Sequence, residues 1–293
     1  MDRKVYFGNA SKQTWINAPQ SGLQAVSNGF FDQKQLLNGR SFINRSYGSH
    51  REFNPTWIGS LNNSELEHSL QTIKDFNDGL YGDGPFYWID PFASNQNIMA
   101  PHWAAPALTQ RDWPAISDIS PFESVTTTAN LLNYPETSLR FAYADTDEFV
   151  STKKFRVIIP QGYSLFFGWH GEITSGTGTI RIDRHRRNDG SIETLDTTPI
   201  AVTSSNRTNA IVSGDVYSMA DIYFYKAADE EMDLIISAMI GQILRSTSYP
   251  ETGGFISGRG TTGIEFSSPV SIQYYSSVIN QGQVGLSTNW IEV

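Results

Sequence analysis

The chain has 293 residues and a formal charge of −9, from 21 Lys and Arg against 30 Asp and Glu, and it contains no cysteine. The missing thiols exclude disulfide frameworks, thiolate nucleophiles and Cys-ligated zinc. The acidic balance disfavours tight or sequence-specific binding of phosphate polymers.

Only 17% of residues are charged while 13% are aromatic, a composition suited to sheets whose faces are covered by a core or by neighbouring subunits. The N-terminal Met1–Gly8 has charge but no apolar stretch behind it, so no secretory signal is expected. No apolar run approaches the roughly 18 residues needed to span a bilayer. A chain made in the cytoplasm and never inserted in a membrane is expected.

In chain order, Val5–Phe7, Ser41–Ser46 and Phe53–Ile58 read as strands. Pro55 makes the last an edge or interrupted strand. Ser64-Glu65-Leu66-Glu67 matches a capping box, with the Ser64 hydroxyl accepting a first-turn N–H and Glu67 reaching back. Leu66, Leu70, Ile73 and Phe76 then recur at helical spacing and Gly79 follows as a stop, predicting one helix over about 64–78.

A glycine turn at Gly82–Gly84 leads into the aromatic strand Phe86-Tyr87-Trp88-Ile89. From Pro91 to about Tyr134 the chain is irregular, with five prolines but also Trp103 and Trp113, which implies a packed loop. Val125–Asn133 reads as the passage into a second domain.

Beyond Lys153 strands and turns follow almost without break. Phe155, Val157 and Ile159 alternate with Lys154 and Arg156. Leu165, Phe167 and Trp169 alternate with Ser164, Phe166 and Gly168, and Ile180 and Ile182 with Arg181 and Asp183. Ala220–Lys226, Leu234–Leu244, Gly263–Phe266, Ile272–Tyr275 and Gly285–Val293 continue the series. Strands at this spacing predict a two-sheet sandwich of jelly-roll type.

Sites of chemistry are scarce. Gly258-Arg-Gly-Thr-Thr-Gly263 matches a dinucleotide fingerprint in letters, but a strand-like Ile264-Glu265-Phe266 follows where a helix is required. His170 and Glu172 share one strand face, as do Asp183 and His185. Their nearness to turns favours solvated polarity over a metal site. Arg181, Arg184, Arg186 and Arg187 precede the turn signal Asn188-Asp-Gly190, placing a basic cluster on a hairpin. It reads as a solvated tip, with contact to an acidic subunit or anionic polymer as the alternative. Five scattered histidines and no nucleophile elbow give no hydrolase triad. No catalytic residue, cofactor or metal is therefore expected, and an enzyme is not.

Gly79-Leu-Tyr-Gly-Asp-Gly-Pro-Phe-Tyr-Trp-Ile-Asp-Pro91, followed by Asn97-Ile-Met-Ala-Pro-His-Trp-Ala-Ala-Pro106, resembles minor tail proteins of long-tailed phages that infect actinobacteria, of the distal tail protein type. Val5–Asn9 with Trp15–Pro19, Ile159–Gly168, and Gly260–Phe266 with Gly285–Val293 fit in order, so the resemblance spans nearly the whole chain.

The resemblance implies a mainly β protein with an N-terminal β-sandwich belt domain over 1–130 that carries the one helix. A C-terminal jelly-roll or galectin-like β-sandwich, similar to carbohydrate-binding modules, would follow over 131–293. It further implies a homo-oligomeric ring, commonly a hexamer, in the virion tail tip. Such a ring joins the tail tube protein to the tip or hub protein and passes DNA only as cargo.

Head-to-tail closure needs two unlike surfaces per subunit. Phe86, Tyr87, Trp88 and Trp103 are the candidates for them, against the plainer reading of an ordinary core. The alternative role is recognition of host surface glycan by the second domain, for which Tyr217, Tyr223 and Tyr225 are the candidates. Alternation sets Tyr223 and Tyr225 opposite Ile222 and Phe224, facing outward.

Overall fold

A computed structural model describes residues 3–21, 26–35, 41–60, 62–89, 97–99, 101–104, 122–126, 137–143, 147–150, 154–176, 179–197, 208–245, 263–275 and 282–292. The chain is mainly β and forms two units, Met1–Asp90 with Gly263–Val293, and Pro91–Thr262.

The first unit opens with a hairpin of β1 (Lys4–Gly8) and β2 (Gln13–Asn17). Its turn admits only glycine at position 8, where φ is +150° and a Cβ would lie 2.0 Å from the Lys12 carbonyl oxygen. The buried Asn9 fixes the turn by accepting the Ser11 and Lys12 N–H groups at 3.0 and 2.9 Å. Its amide also donates to the carbonyls of Tyr81, Gly82 and Asp83. One side chain thereby holds two turns together.

The strands β3 (Val26–Gln35), β4 (Ser41–Phe53) and β5 (Thr56–Ser60) follow. The helix α1 covers Ser64–Asn77, and its N-cap is Asn63, not Ser64. Asn63 Oδ1 accepts the Leu66 N–H at 3.1 Å, so the cap sits one residue earlier than the capping-box reading placed it. Gly79, at φ +78°, takes the left-handed turn beyond the C-terminus.

Leu66, Leu70, Ile73 and Phe76 are all buried, each such side chain worth roughly 1.5–3 kcal/mol by area removed from water. Ser69 docks the helix on β2 by accepting the Asn17 N–H, while the Trp57 indole donates to the Asn17 carbonyl at 2.8 Å. The short β6 (Tyr87–Ile89) then pairs with β1 in a sheet of order β2-β1-β6.

The first helix or strand described in the second unit is the one-turn helix α2 (Pro101–Ala104). Its strands are β7 (Phe122–Thr126), β8 (Thr137–Tyr143), β9 (Phe149–Val150), β10 (Phe155–Ile158) and β11 (Ser164–Gly176). After these come β12 (Thr179–Arg186), β13 (Ile192–Thr197), β14 (Thr208–Ser213), β15 (Tyr217–Lys226) and β16 (Met232–Leu244). They form two antiparallel sheets, β10-β15-β12-β13 with β9 on β15, and β14-β11-β16-β8-β7.

Trp103 stacks on Phe224 at 5.9 Å, and Phe141 approaches the same ring at 6.3 Å. The indole of Trp169 on β11 donates to Thr197 Oγ1 on β13 at 3.0 Å, linking the two sheets. The expected alternation on β11 holds, but Phe166 and Phe167 are both fully buried, so neither face there meets solvent.

The chain then returns to the first unit as β17 (Ile264–Phe266), β18 (Ser271–Tyr275), β19 (Gln283–Ser287) and β20 (Trp290–Glu292). There β20 pairs with β4 and β19 with β5, giving sheets ordered β17-β20-β4-β3 and β18-β19-β5. The division of the chain therefore departs from the expected 1–130 and 131–293. The last strands complete the first unit because Trp290, Val284 and Leu286 lie in its core with Phe7, Trp57, Phe76 and Phe86. Phe86 and Ile264 exchange two backbone hydrogen bonds of 2.8 Å, so the second unit is inserted between two residues that are bridged to each other.

The Val125–Asn133 passage lies largely outside the described residues, as do Trp113 and residues 258–262 of the glycine-rich match.

Candidate functional site

The sheet β10-β15-β12-β13 turns one face inward and one to solvent. On β15 the even positions Ala220, Ile222 and Phe224 are fully buried, and the odd positions carry Tyr217, Asp221, Tyr223 and Tyr225. Cross-strand register aligns Arg156 with Asp221, Asp183 with Asp221, Arg181 with Tyr223, and Arg181 with Asp196. Polar groups from four strands are thereby gathered on one face.

Two carboxylates directly opposite each other repel, and Asp183 and Asp221 are so placed. Each is compensated. Arg156 grips both Asp221 oxygens at 2.6 Å, and His185 Nε2 lies 3.1 Å from Oδ2. Burial alone would raise the Asp221 carboxyl, but Arg156 and His185 outweigh it and hold it below the usual range. Asp183 accepts from Thr194 Oγ1 at 2.9 Å and from the Tyr223 hydroxyl at 3.0 Å, with the Lys154 ammonium at 3.4 Å. Burial and then this bond push the Tyr223 phenol up.

The third pair is Arg181 with Asp196, bidentate at 2.6 and 3.0 Å, and the guanidinium also lies 3.2 Å above the Tyr225 ring. Asp196 keeps 49% of its side chain exposed, and Lys154 keeps 38%.

This geometry reshapes the three tyrosine candidates. All three stand on β15, but Tyr223 is only 5% exposed because Lys154 lies 4.0 Å over its ring. Tyr217 is also buried, donates to Glu193 Oε2 at 2.6 Å and lies under Arg184. Each ring has one face under a cation, so none offers that face as an open platform.

Among the interface candidates, Phe86 and Trp103 are core residues of their own units, and Tyr87 is buried. Trp88 is partly buried, edge-on to Phe53 at 5.8 Å. A side chain enclosed in its own core cannot also meet a neighbour.

The basic hairpin is internally paired. Arg184 and Arg186 meet Glu193, and Arg187 donates to the carbonyls of Ile159, Gly214 and Tyr217, so it ties loops together instead of presenting charge. Asp183 and His185 belong to the ladder just described, while the Glu172 side chain lies outside the described residues. Among the described residues no group of three His, Asp or Glu is placed to hold a metal ion, and no helix is long and apolar enough to cross a membrane.

Sequence reading missed Asp196, Asp221 and Thr194. The one available signal was Asp221, the lone acid in the mostly apolar and aromatic strand β15.

No protein-family model and no curated protein matches the chain. Among solved structures, a carbohydrate-binding module in complex with beta-1,4-galactotriose is similar at TM-score 0.30 and 13% identity, over 50% of this chain and 97% of that one. A family 16 carbohydrate-binding module is similar at TM-score 0.27 and 13% identity, over 44% and 89%. The VP2 subviral particle of infectious bursal disease virus is similar at TM-score 0.24 and 11% identity, over 100% and 81%.

Proposed function

We propose that this chain is a non-enzymatic structural protein of a phage tail tip, in which the first unit closes with its own copies into a ring and the inserted unit recognises a ligand. The observation that carries this reading is the paired boundary of the insertion. Phe86 and Ile264 are hydrogen-bonded partners on either side of it, so the first unit has its own closed core whatever is inserted. That arrangement favours a division of labour, with assembly in one unit and recognition in the other. The sequence resemblance supplies the setting: a ring between tail tube and tip, with DNA as passing cargo.

The test is electron microscopy of the assembled tail with this chain located in it. A closed ring at the junction of tube and tip is the expected image. Isolated copies on the particle, or none, would end the reading.

A second reading has its own support. The solvent face of β10-β15-β12-β13 brings donors, carboxylates and tyrosines together, which suits recognition of a host-surface glycan by the inserted unit. It coexists with the ring and is tested separately.

A further inference from the structure

We infer that the ligand of the inserted unit is a neutral, hydroxyl-rich glycan held by the Arg181–Asp196 ion-pair fork and Thr194 on the β10-β15-β12-β13 face, and not by open tyrosine platforms. This rests on the second reading just given and adds the ligand's charge class and the groups that contact it.

Around Tyr223 and Tyr225 the charges of the ion pairs cancel. Lys154, Arg156 and Arg181 stand against Asp183, Asp196 and Asp221, three cations to three carboxylates. A polyanion would have to compete with carboxylates already in bidentate contact, in a chain whose overall charge is −9. A polyol meets no such barrier. Arg181 has five N–H donors, and its fork to Asp196 uses two of them. The oxygens of Asp196, half exposed, keep lone pairs free of the Arg181 fork.

The Arg181–Asp196 fork therefore sets a donor beside an acceptor, the complement of vicinal hydroxyls that each donate and accept. Thr194 is exposed one alternate position from Asp196 on the edge strand β13. The ring faces of Tyr223 and Tyr225 that would take a sugar's C–H surface are under Lys154 and Arg181. Stacking contributes less here than hydrogen bonding to the Arg181–Asp196 fork.

The experiment is affinity electrophoresis and calorimetry of the full chain against xylan, galactan and a wider array of neutral glycans. Polygalacturonate and heparin serve as anionic probes, and Asp196→Asn and Thr194→Val as variants. Binding to a neutral glycan is expected, weakened at least tenfold by Asp196→Asn with an unchanged unfolding midpoint, and little affected by salt.

Three results would overturn the inference: no binding across the neutral array, binding to anionic polymers alone with steep salt dependence, or neutral binding that both variants leave intact. Light scattering on the same samples keeps the two proposals apart. A ring that binds anionic polymers alone removes only this inference, a ring that binds no probe removes glycan recognition as well, and a monomer that binds a neutral glycan removes only the ring.

Discussion

The two units solve the same problem, a β-rich core, with chain connectivity of opposite kinds. In the inserted unit the central pairs β11–β16 and β12–β15 come from one continuous stretch of chain. The first unit instead draws its core from both ends of the sequence. Phe7 of β1 lies 5.5 Å from Trp290 of β20, and Trp57 of β5 packs near the same indole at 6.0 Å. One unit draws its strands from a single uninterrupted stretch of chain and the other from strands that meet only after an insertion. Damage should therefore stay within a unit, and the chain's last residues should matter most to its first.

The largest effect expected is from removing Gln283–Val293. This takes away the partners of β4 and β5 together with Val284, Leu286 and Trp290. The first unit should lose its cooperative transition while the inserted unit keeps its own, as read by calorimetry and limited proteolysis.

A smaller break is Phe7→Ala. The ring is fully buried and contacts Phe76 at 5.2 Å and Phe86 at 6.0 Å. The loss should be about 3–5 kcal/mol, confined to the first unit's denaturant transition.

Smaller again is Asp221→Asn in the inserted unit, costing about 1–3 kcal/mol through the lost Arg156 and His185 contacts. The sign with pH follows from the lowered carboxyl. Its stabilisation is present above the unfolded value near about 4 and is lost as pH falls through the still lower folded value. The gap between wild type and variant should thus be full at neutral pH and close on acidification.

The smallest effect has the opposite sign. Burial first, and the nearby Asp83 second, raise the Glu265 carboxyl. Its charged form is therefore disfavoured in the fold. Glu265→Gln should stabilise the first unit at neutral pH by less than about 1 kcal/mol after solvent screening, with no gain once pH falls below the unfolded value. Unfolding midpoints measured across pH would read this directly.

How much of this was legible in the sequence divides along the same line. Local periodicity located α1 within a residue or two, and it placed Phe155, Val157, Ile180 and Ile182 on inward faces because a strand's alternation is a short-range property. The cap moved from Ser64 to Asn63 because either side chain can accept a first-turn N–H, and only geometry chooses between them. The domain boundary could not be read. Nothing local to Val284 or Trp290 says that they return to Trp57 and Phe7.

The site was half legible for the same reason. Alternation set Tyr223 and Tyr225 opposite the core, but which cations would lie over their rings depended on register between strands far apart in sequence. Asp196 faces Arg181 across a hairpin and Asp221 faces Arg156 across 65 positions.

Native mass spectrometry can weigh two proteins side by side: the full chain, and a variant in which residues 91–262 are replaced by a short glycine-serine linker between Asp90 and Gly263. If the first unit both folds and assembles by itself, the two give closed oligomers with the same number of copies. A full chain that assembles while the linker variant remains a single copy would place assembly in the inserted unit and contradict the proposed division. Single copies of both would remove the ring.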